Sequence, residues 1–293
     1  MTTLLVSHVT EYDYGSPVEL AAHMAHLRPR TLPWQRVSRF AFHVDPAPDR
    51  VRWGTDHYGN ALAWVFLDRA HPSLTVSLQA TVEVERRDCP APADTPPWEA
   101  VSRQAMLPEV ARDVSEFTFG SPMAPVSSAV QAFADPSFPQ GRPVLAGLLD
   151  LMERIGRGFR FDPGVTTVST PVHRVLQLRA GVCQDFAHLM IAGLRALGLP
   201  ARYVSGYLRT VPPPGQARLV GADHSHAWVQ CWLGRAHGWI DLDPTNMLVV
   251  ADQHVWLGWG RDYADVSPVR GVLLGGGRHS LRVSVDIAPD PGD

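Results

Sequence analysis

The 293-residue chain contains no lysine: every one of its 26 basic residues is arginine. Chemistry that runs through a lysine side chain, whether a Schiff base or a phosphate-binding loop, is thereby excluded. Cysteine is nearly as scarce. Cys89, Cys183 and Cys231 are odd in number and form no CxxC pair, so reduced thiols rather than a disulfide framework are expected. A basic excess is also missing. The 26 basic and 29 acidic residues leave a net charge of −3, which argues against nucleic acid as a partner. No apolar run approaches the roughly 18–20 residues of a bilayer span, so no membrane partner is expected. The N-terminus, MTTLLVSHVTEYDYG, lacks a basic n-region and its apolar stretch stops at Ser7 and His8, which predicts a cytoplasmic protein without a secretory leader.

What is present is globular. Hydrophobic residues make up 45% and charged residues 19%, and at about 150 residues per domain the length favours two domains. Residues 1–88 carry β-rich stretches (LLVSHVTEYDY, RVSRFAFHV, NALAWVFL, SLTVSLQATVEVE) separated by turn clusters such as DPAPDR and DHYGN, and read as an antiparallel β domain. Residues 89–100, with Pro90, Pro92, Pro96 and Pro97, read as a linker without regular structure. Residues 101–293 turn to helical periodicity, notably Pro143–Phe159, then to strand-like RYVSGYL, HAWVQCWL and GWIDLDPT, and end in the alternating strand LRVSVDIAP. The expectation is an α+β core with an antiparallel sheet.

In GVCQDFAHLMIAGLRALGLP the apolar residues Phe186, Met190, Leu194 and Leu197 recur at helical spacing, with Gly198 as C-cap and Pro200 blocking continuation. Cys183 then lies in the first helical turn, where the dipole and free N–H groups favour a thiolate and can bind an oxyanion. In HAWVQCWL the alternation sets His226, Trp228, Gln230 and Trp232 on one face, with Cys231 on the other. A hairpin loop at Gly234–His237 would pair Leu233 with Gly238, Gln230 with Asp241 and Trp228 with Asp243. Asp243 becomes the diagonal neighbour of His226, about 7–8 Å between backbones, and Asp241 lies a rung further off. A cysteine, a histidine and an aspartate so placed form a nucleophile, a base and an orienter.

The segments RAGVCQDFAHLMIAGLRALGLPARYVSGYL, SHAWVQCW and GWIDLDPTN resemble the core of the bacterial transglutaminase-like superfamily, distant relatives of papain-fold cysteine proteases. GRDYADVSPVRGV resembles that branch's ending, and YDYGSPVELAAHMAHLRPR with DHYGN resembles the β domain ahead of the core. The resemblance implies Cys183, His226 and Asp243 as a catalytic triad and acyl transfer through a thioester, with a peptide or protein substrate expected; no calcium-type DxDxDG loop or acidic cluster is visible and the site chemistry is complete in these residues, so neither cofactor nor metal is expected. Gln177 is its weak candidate for a side-chain oxyanion donor. Hydrolysis of an amide is expected to exceed transfer to an amine, with a crosslinking transferase, a peptide-binding scaffold and a metal-dependent hydrolase as alternatives.

Other features weigh less. Asp223, His224 and His226 lack a clear further metal ligand, and His188 reads as a packing residue. Gly275–Gly277 lacks the context of a phosphate loop and reads as a turn. The stretch Val211–Asp223 reads as a lid or a surface connection, and Trp228, Trp232 and Trp239 as a channel wall or cross-strand packing.

Overall fold

A computed structural model describes residues 1–110, 112–210 and 225–290. Five strands come first: β1 (Thr2–Ala25), β2 (Gln35–Asp45), β3 (Arg50–Thr55), β4 (Ala61–Leu67) and β5 (His71–Val84). Then follow α1 (Trp98–Ala105), α2 (Arg112–Ser115), α3 (Ser128–Ala134), α4 (Val144–Gly158), β6 (Arg160–Phe161), α5 (Val172–Leu178), β7 (Ala180–Gly181) and α6 (Cys183–Ala196). The chain closes with β8 (Ala201–Leu208), β9 (Ser225–Trp232), β10 (Trp239–Asp243), β11 (Leu248–Val249), β12 (His254–Gly260), β13 (Val269–Gly275) and β14 (His279–Pro289).

β1 organises the first sheet. The alternating stretch that starts it continues past Gly15, Ser16 and Pro17 to Ala25, because the irregularity is absorbed as a bulge and not as a chain reversal. Before the bulge β1 lies between β5 and β14; after it, between β4 and β13. All pairings are antiparallel, and alternate residues such as Leu4, Val6, Leu74, Val76 and Leu78 go fully inward.

This topology corrects the domain reading in one respect. The C-terminal strand expected with the core, LRVSVDIAP, pairs with β1 over Leu4–Tyr14, and β13 joins the same sheet. A period-two pattern fixes which face of a strand is buried, not which sheet receives its hydrogen bonds. The turn between β13 and β14 is the triple glycine, with φ of +94°, +83° and +59°, a run of left-handed backbone that only glycine adopts without strain. The proline-rich stretch also differs from expectation. It forms a 3₁₀ turn at Pro92–Asp94 and α1 starts at Trp98, while Thr95 Oγ1 accepts the Leu145 N–H at 3.2 Å and so docks the stretch on the start of α4.

The second sheet runs β11–β10–β9–β8–β12. Its β9–β10 register, Gln230 opposite Asp241 with Leu233 N–H bonded to Gly238 C=O at 2.8 Å, is the one the hairpin loop predicts. One apolar core joins this sheet to α3, α4, α5 and α6; another joins it, through Tyr207, Trp228 and Trp256, to the β1 sheet. α6 is buried all round, from Asp185 to Arg195, and not only along the apolar stripe its spacing predicts. Helices on one side and the sheet on the other leave it no solvent face.

Candidate active site

Cys183 is the first residue of α6 and is half-buried. The preceding turn is fixed by Asp185, whose carboxylate accepts the Val182 N–H at 2.9 Å and the Thr166 hydroxyl at 2.7 Å. Burial raises the pKa of Asp185, opposed by those two bonds. Gly181 is required beside it, since a Cβ there would stand 2.6 Å from Asp185 Oδ2. The N–H groups of the first helical turn have no acceptor within the helix and are available to an anion.

The structure brings His226 and Asp243 to this cysteine. His226 Nε2 donates to Asp243 Oδ2 at 2.7 Å, and the imidazole lines the same cavity as the Cys183 thiol. Burial works to lower the pKa of His226, but its interactions with Asp243 and Cys183 outweigh it and push it up to about 10. Burial likewise opposes the charge of Asp243, yet bonds from His226, His254 and Asn246 hold its carboxyl well below the usual carboxylate range. Its Oδ1 accepts the N–H groups of Thr245 (3.0 Å) and Asn246 (3.1 Å), while Oδ2 also accepts Asn246 Nδ2 (2.7 Å).

His254, at the start of β12, has its Nε2 3.4 Å from the same Oδ2, and sequence reasoning misses it. Its approach from a strand on the far side of β8 is a tertiary fact. Gly206 on β8 shares in it: a Cβ there would lie 2.4 Å from the Trp228 ring, which packs 5.2 Å from His254. His226, Asp243 and His254 offer ligand atoms within 4.8 Å of one another, a metal-type grouping that differs from the one read from sequence. Asp223, His224 and the stretch Val211–Asp223 lie outside the described residues.

Asp241 serves something else. Its carboxylate accepts the indole N–H groups of Trp228 and Trp256, each at 2.8 Å, Gln230 Nε2 at 2.9 Å and the guanidinium of Arg87. Arg87 lies over the Trp34 ring at 4.0 Å, so Asp241 ties the end of the β domain to the second sheet. Gln177 is not brought to the site: it is exposed on α5, where its side-chain oxygen accepts from Arg174 at 3.2 Å. His188 is buried and its Nε2 accepts the Tyr263 N–H at 3.2 Å, a packing role. Cys231 faces the helical core.

A cavity of about 350 Å³ opens at Cys183 and His226. Tyr203 and Ser205 of β8, Ser225 and Ala227 of β9, and Tyr263 form one side; His8, Thr10 and Tyr12 of β1 with Leu281, Val283 and Val285 of β14 form the other. Trp228, Trp232 and Trp239 do not line it, because the first two are buried in the two cores and Trp239 packs on Phe117 and Arg202.

A cysteine opening a buried helix, beside a histidine and an aspartate on an antiparallel sheet, defines a papain-like or transglutaminase-like core. The matches to known proteins agree: residues 4–83 fit the bacterial transglutaminase-like N-terminal region and residues 134–244 the transglutaminase-like superfamily. The chain belongs to the bacterial transglutaminase-like family. An uncharacterised protein of Mycobacterium tuberculosis is 41% identical over 295 residues, covering 98% of this chain and 93% of that protein. A protein-glutamine gamma-glutamyltransferase of Pseudomonas aeruginosa is 33% identical over 107 residues, 36% of this chain and 16% of that protein. In fold, the chain resembles a crystal structure from Cytophaga hutchinsonii described as a candidate cysteine protease, with a TM-score of 0.76 and 23% identity over 100% of this chain and 92% of that one.

Proposed function

We propose that this chain is a cysteine-dependent acyl-transfer enzyme acting on a carboxamide or peptide carbonyl, with Cys183 as nucleophile, His226 as base and acid, and Asp243 as orienter. The observation that carries the proposal is the 2.7 Å bond between His226 and a buried Asp243, in a cavity that Cys183 also lines. His226 already holds the proton, which leaves Cys183 a thiolate, and Cys183 sulfur attacks the carbonyl carbon. The tetrahedral oxyanion is stabilised by the N-terminal N–H groups of α6. His226 then protonates the leaving nitrogen, ammonia or an amine departs, and a thioester remains. Water, deprotonated by the neutral imidazole, attacks that thioester to give the acid and free Cys183.

The Asp243 carboxylate is occupied by N–H donors from Asn246, Thr245 and the histidines, which supports an orienting role over a ligating one. Hydrolysis is favoured over transfer, since Ser205 and Ser225 line the cavity with hydroxyls able to hydrogen-bond an attacking water. Amine transfer is the second reading, and the apolar side chains of Leu281 and Val283 favour it by restricting water.

The experiment is acyl-enzyme partitioning. A glutamine peptide and short peptide amides are incubated with the enzyme and rising concentrations of a primary amine. A Cys183 thioester seen by mass spectrometry, with acid as the main product, is the expected result. Dominant amine incorporation would instead establish a transferase, and turnover that survives Cys183→Ala would refute the mechanism.

A further inference from the structure

Cys183 and His226 share their cavity with residues of the β domain, from β1 and β14. β1 and β14 face each other there in register, Tyr12 opposite Leu281, Thr10 opposite Val283 and His8 opposite Val285. Alternate residues of β14 share a face, and from Leu281 to Ile287 that face is apolar: Ile287 and Val285 are 0% and 1% exposed, whereas Val283 and Leu281 are 50% and 53% exposed, with His279 beyond them against Tyr12 and Tyr14. An apolar stripe therefore starts in the protein core and emerges beside the nucleophile.

Charge is missing from the same surface. Among the described residues lining the cavity there is no Asp, Glu or Arg. His8 is neutral at physiological pH because burial lowers its pKa to about 4, and both its nitrogens are engaged, with Thr10 at 2.7 Å and with Tyr207 at 2.9 Å. Charge enters with His226 and Cys183, the reacting groups themselves. A charged substrate group placed against β14 would lose water and gain no ion-pair partner, whereas an apolar one would cover Leu281 and Val283.

We infer that the Tyr12, Leu281 and Val283 surface is the acyl-side specificity wall, selecting substrates in which the residue flanking the scissile amide carries an uncharged, apolar side chain. The inference rests on Cys183 being the nucleophile, and it gives the β domain a part in catalysis: that domain supplies the recognition surface for a site whose reacting groups belong to the core.

The test uses N-substituted iodoacetamides, in which Cys183 sulfur displaces iodide from the methylene carbon and forms a thioether. Three reagents carry a phenethyl, a carboxyethyl or a trimethylammonioethyl group on the amide nitrogen, and each rate is normalised to that with free cysteine. The phenethyl reagent should alkylate Cys183 at least about tenfold faster than both charged ones, the scale of discrimination that apolar pockets achieve. Long-range steering would separate the two charged reagents from each other, while desolvation penalises both. Leu281→Arg should erase most of the phenethyl advantage and speed the carboxyethyl reagent. Val272→Arg, at an exposed position on β13 outside the cavity, should change neither rate. Equal normalised rates for the three reagents in the unmodified protein would overturn the inference, as would an undiminished preference in Leu281→Arg or an equal loss in Val272→Arg. Failure of the underlying reading shows separately, as alkylation of Cys89 or Cys231 ahead of Cys183.

Discussion

Asp241 and Asp243 lie on the same face of β10, two residues apart, yet only Asp243 meets a histidine. Asp243 receives His226 at 2.7 Å, whereas Asp241 receives the two indoles, Gln230 and Arg87. The same chemical group thus serves the site in one position and the junction between the sheets in the other.

Substituting each with asparagine should separate these roles. Asp243→Asn should lower turnover by orders of magnitude, about 10⁴ by analogy with the orienting aspartate of serine proteases. Asp241→Asn leaves Arg87 without its anion and sets an amide N–H against N–H donors, so it should destabilise the fold by about 3–5 kcal/mol. Activity per folded molecule should change little. Thermal melts run beside steady-state kinetics check both outcomes, and a reversal of the two profiles would reassign the orienter.

The pH dependence follows from the direction of the two shifts. His226 is raised from 6.5 to about 10, so its contribution to stability is fully present below pH 6.5 and is lost as pH rises toward 10. Asp243 is depressed, so its contribution is present above the ordinary carboxylate range and disappears only in strong acid. Urea unfolding should show the unmodified protein losing stability relative to His226→Gln between about pH 6 and about pH 9.5. If His226 must be protonated to expel the leaving group, the alkaline limb of kcat/KM should move toward acid in Asp243→Asn.

Thiol labelling should single out Cys183. Cys231 is buried in the helical core, where desolvation pushes its thiol up, and burial also raises the pKa of Cys89. With iodoacetamide near neutral pH, Cys183 should react at least about tenfold faster than either. Peptide mass spectrometry after partial labelling gives the three rates, and comparable labelling of Cys183 and Cys231 would remove Cys183 as the nucleophile.

His254 and chelation form a linked prediction. If the grouping of His226, Asp243 and His254 orients a base, dialysis against EDTA should leave activity intact, and His254→Gln should lower kcat about ten- to a hundredfold, matching the loss of one buried bond to a carboxylate. Loss of activity on chelation with recovery on adding zinc would show that the grouping binds a metal.

Local chemistry made much of this legible in the sequence. Glycine and proline close α6 after Leu197, strand alternation sends His226 and Cys231 to opposite faces, and a short loop after Leu233 leaves one register for β10. Each of these depends on residues only a few positions apart, so a single stretch of sequence carries the whole constraint.

The features that escaped the sequence are all long-range. His254 arrives at Asp243 from a strand beyond β8, Asp241 is claimed by Arg87 from before the linker, and the Cys183 cavity takes a wall from Leu281 and Val283 of β14. In sequence, LRVSVDIAP states only that one of its faces is apolar. β1 decides which sheet that strand joins, because its backbone hydrogen-bonding groups along Leu4–Tyr14 accept β14 in register. The sequence by itself determined the helix that begins at Cys183 and the hairpin that aligns His226 with Asp243. Tertiary structure decided what surrounds them, because burial and hydrogen-bond satisfaction depend on which distant strand fills the neighbouring space.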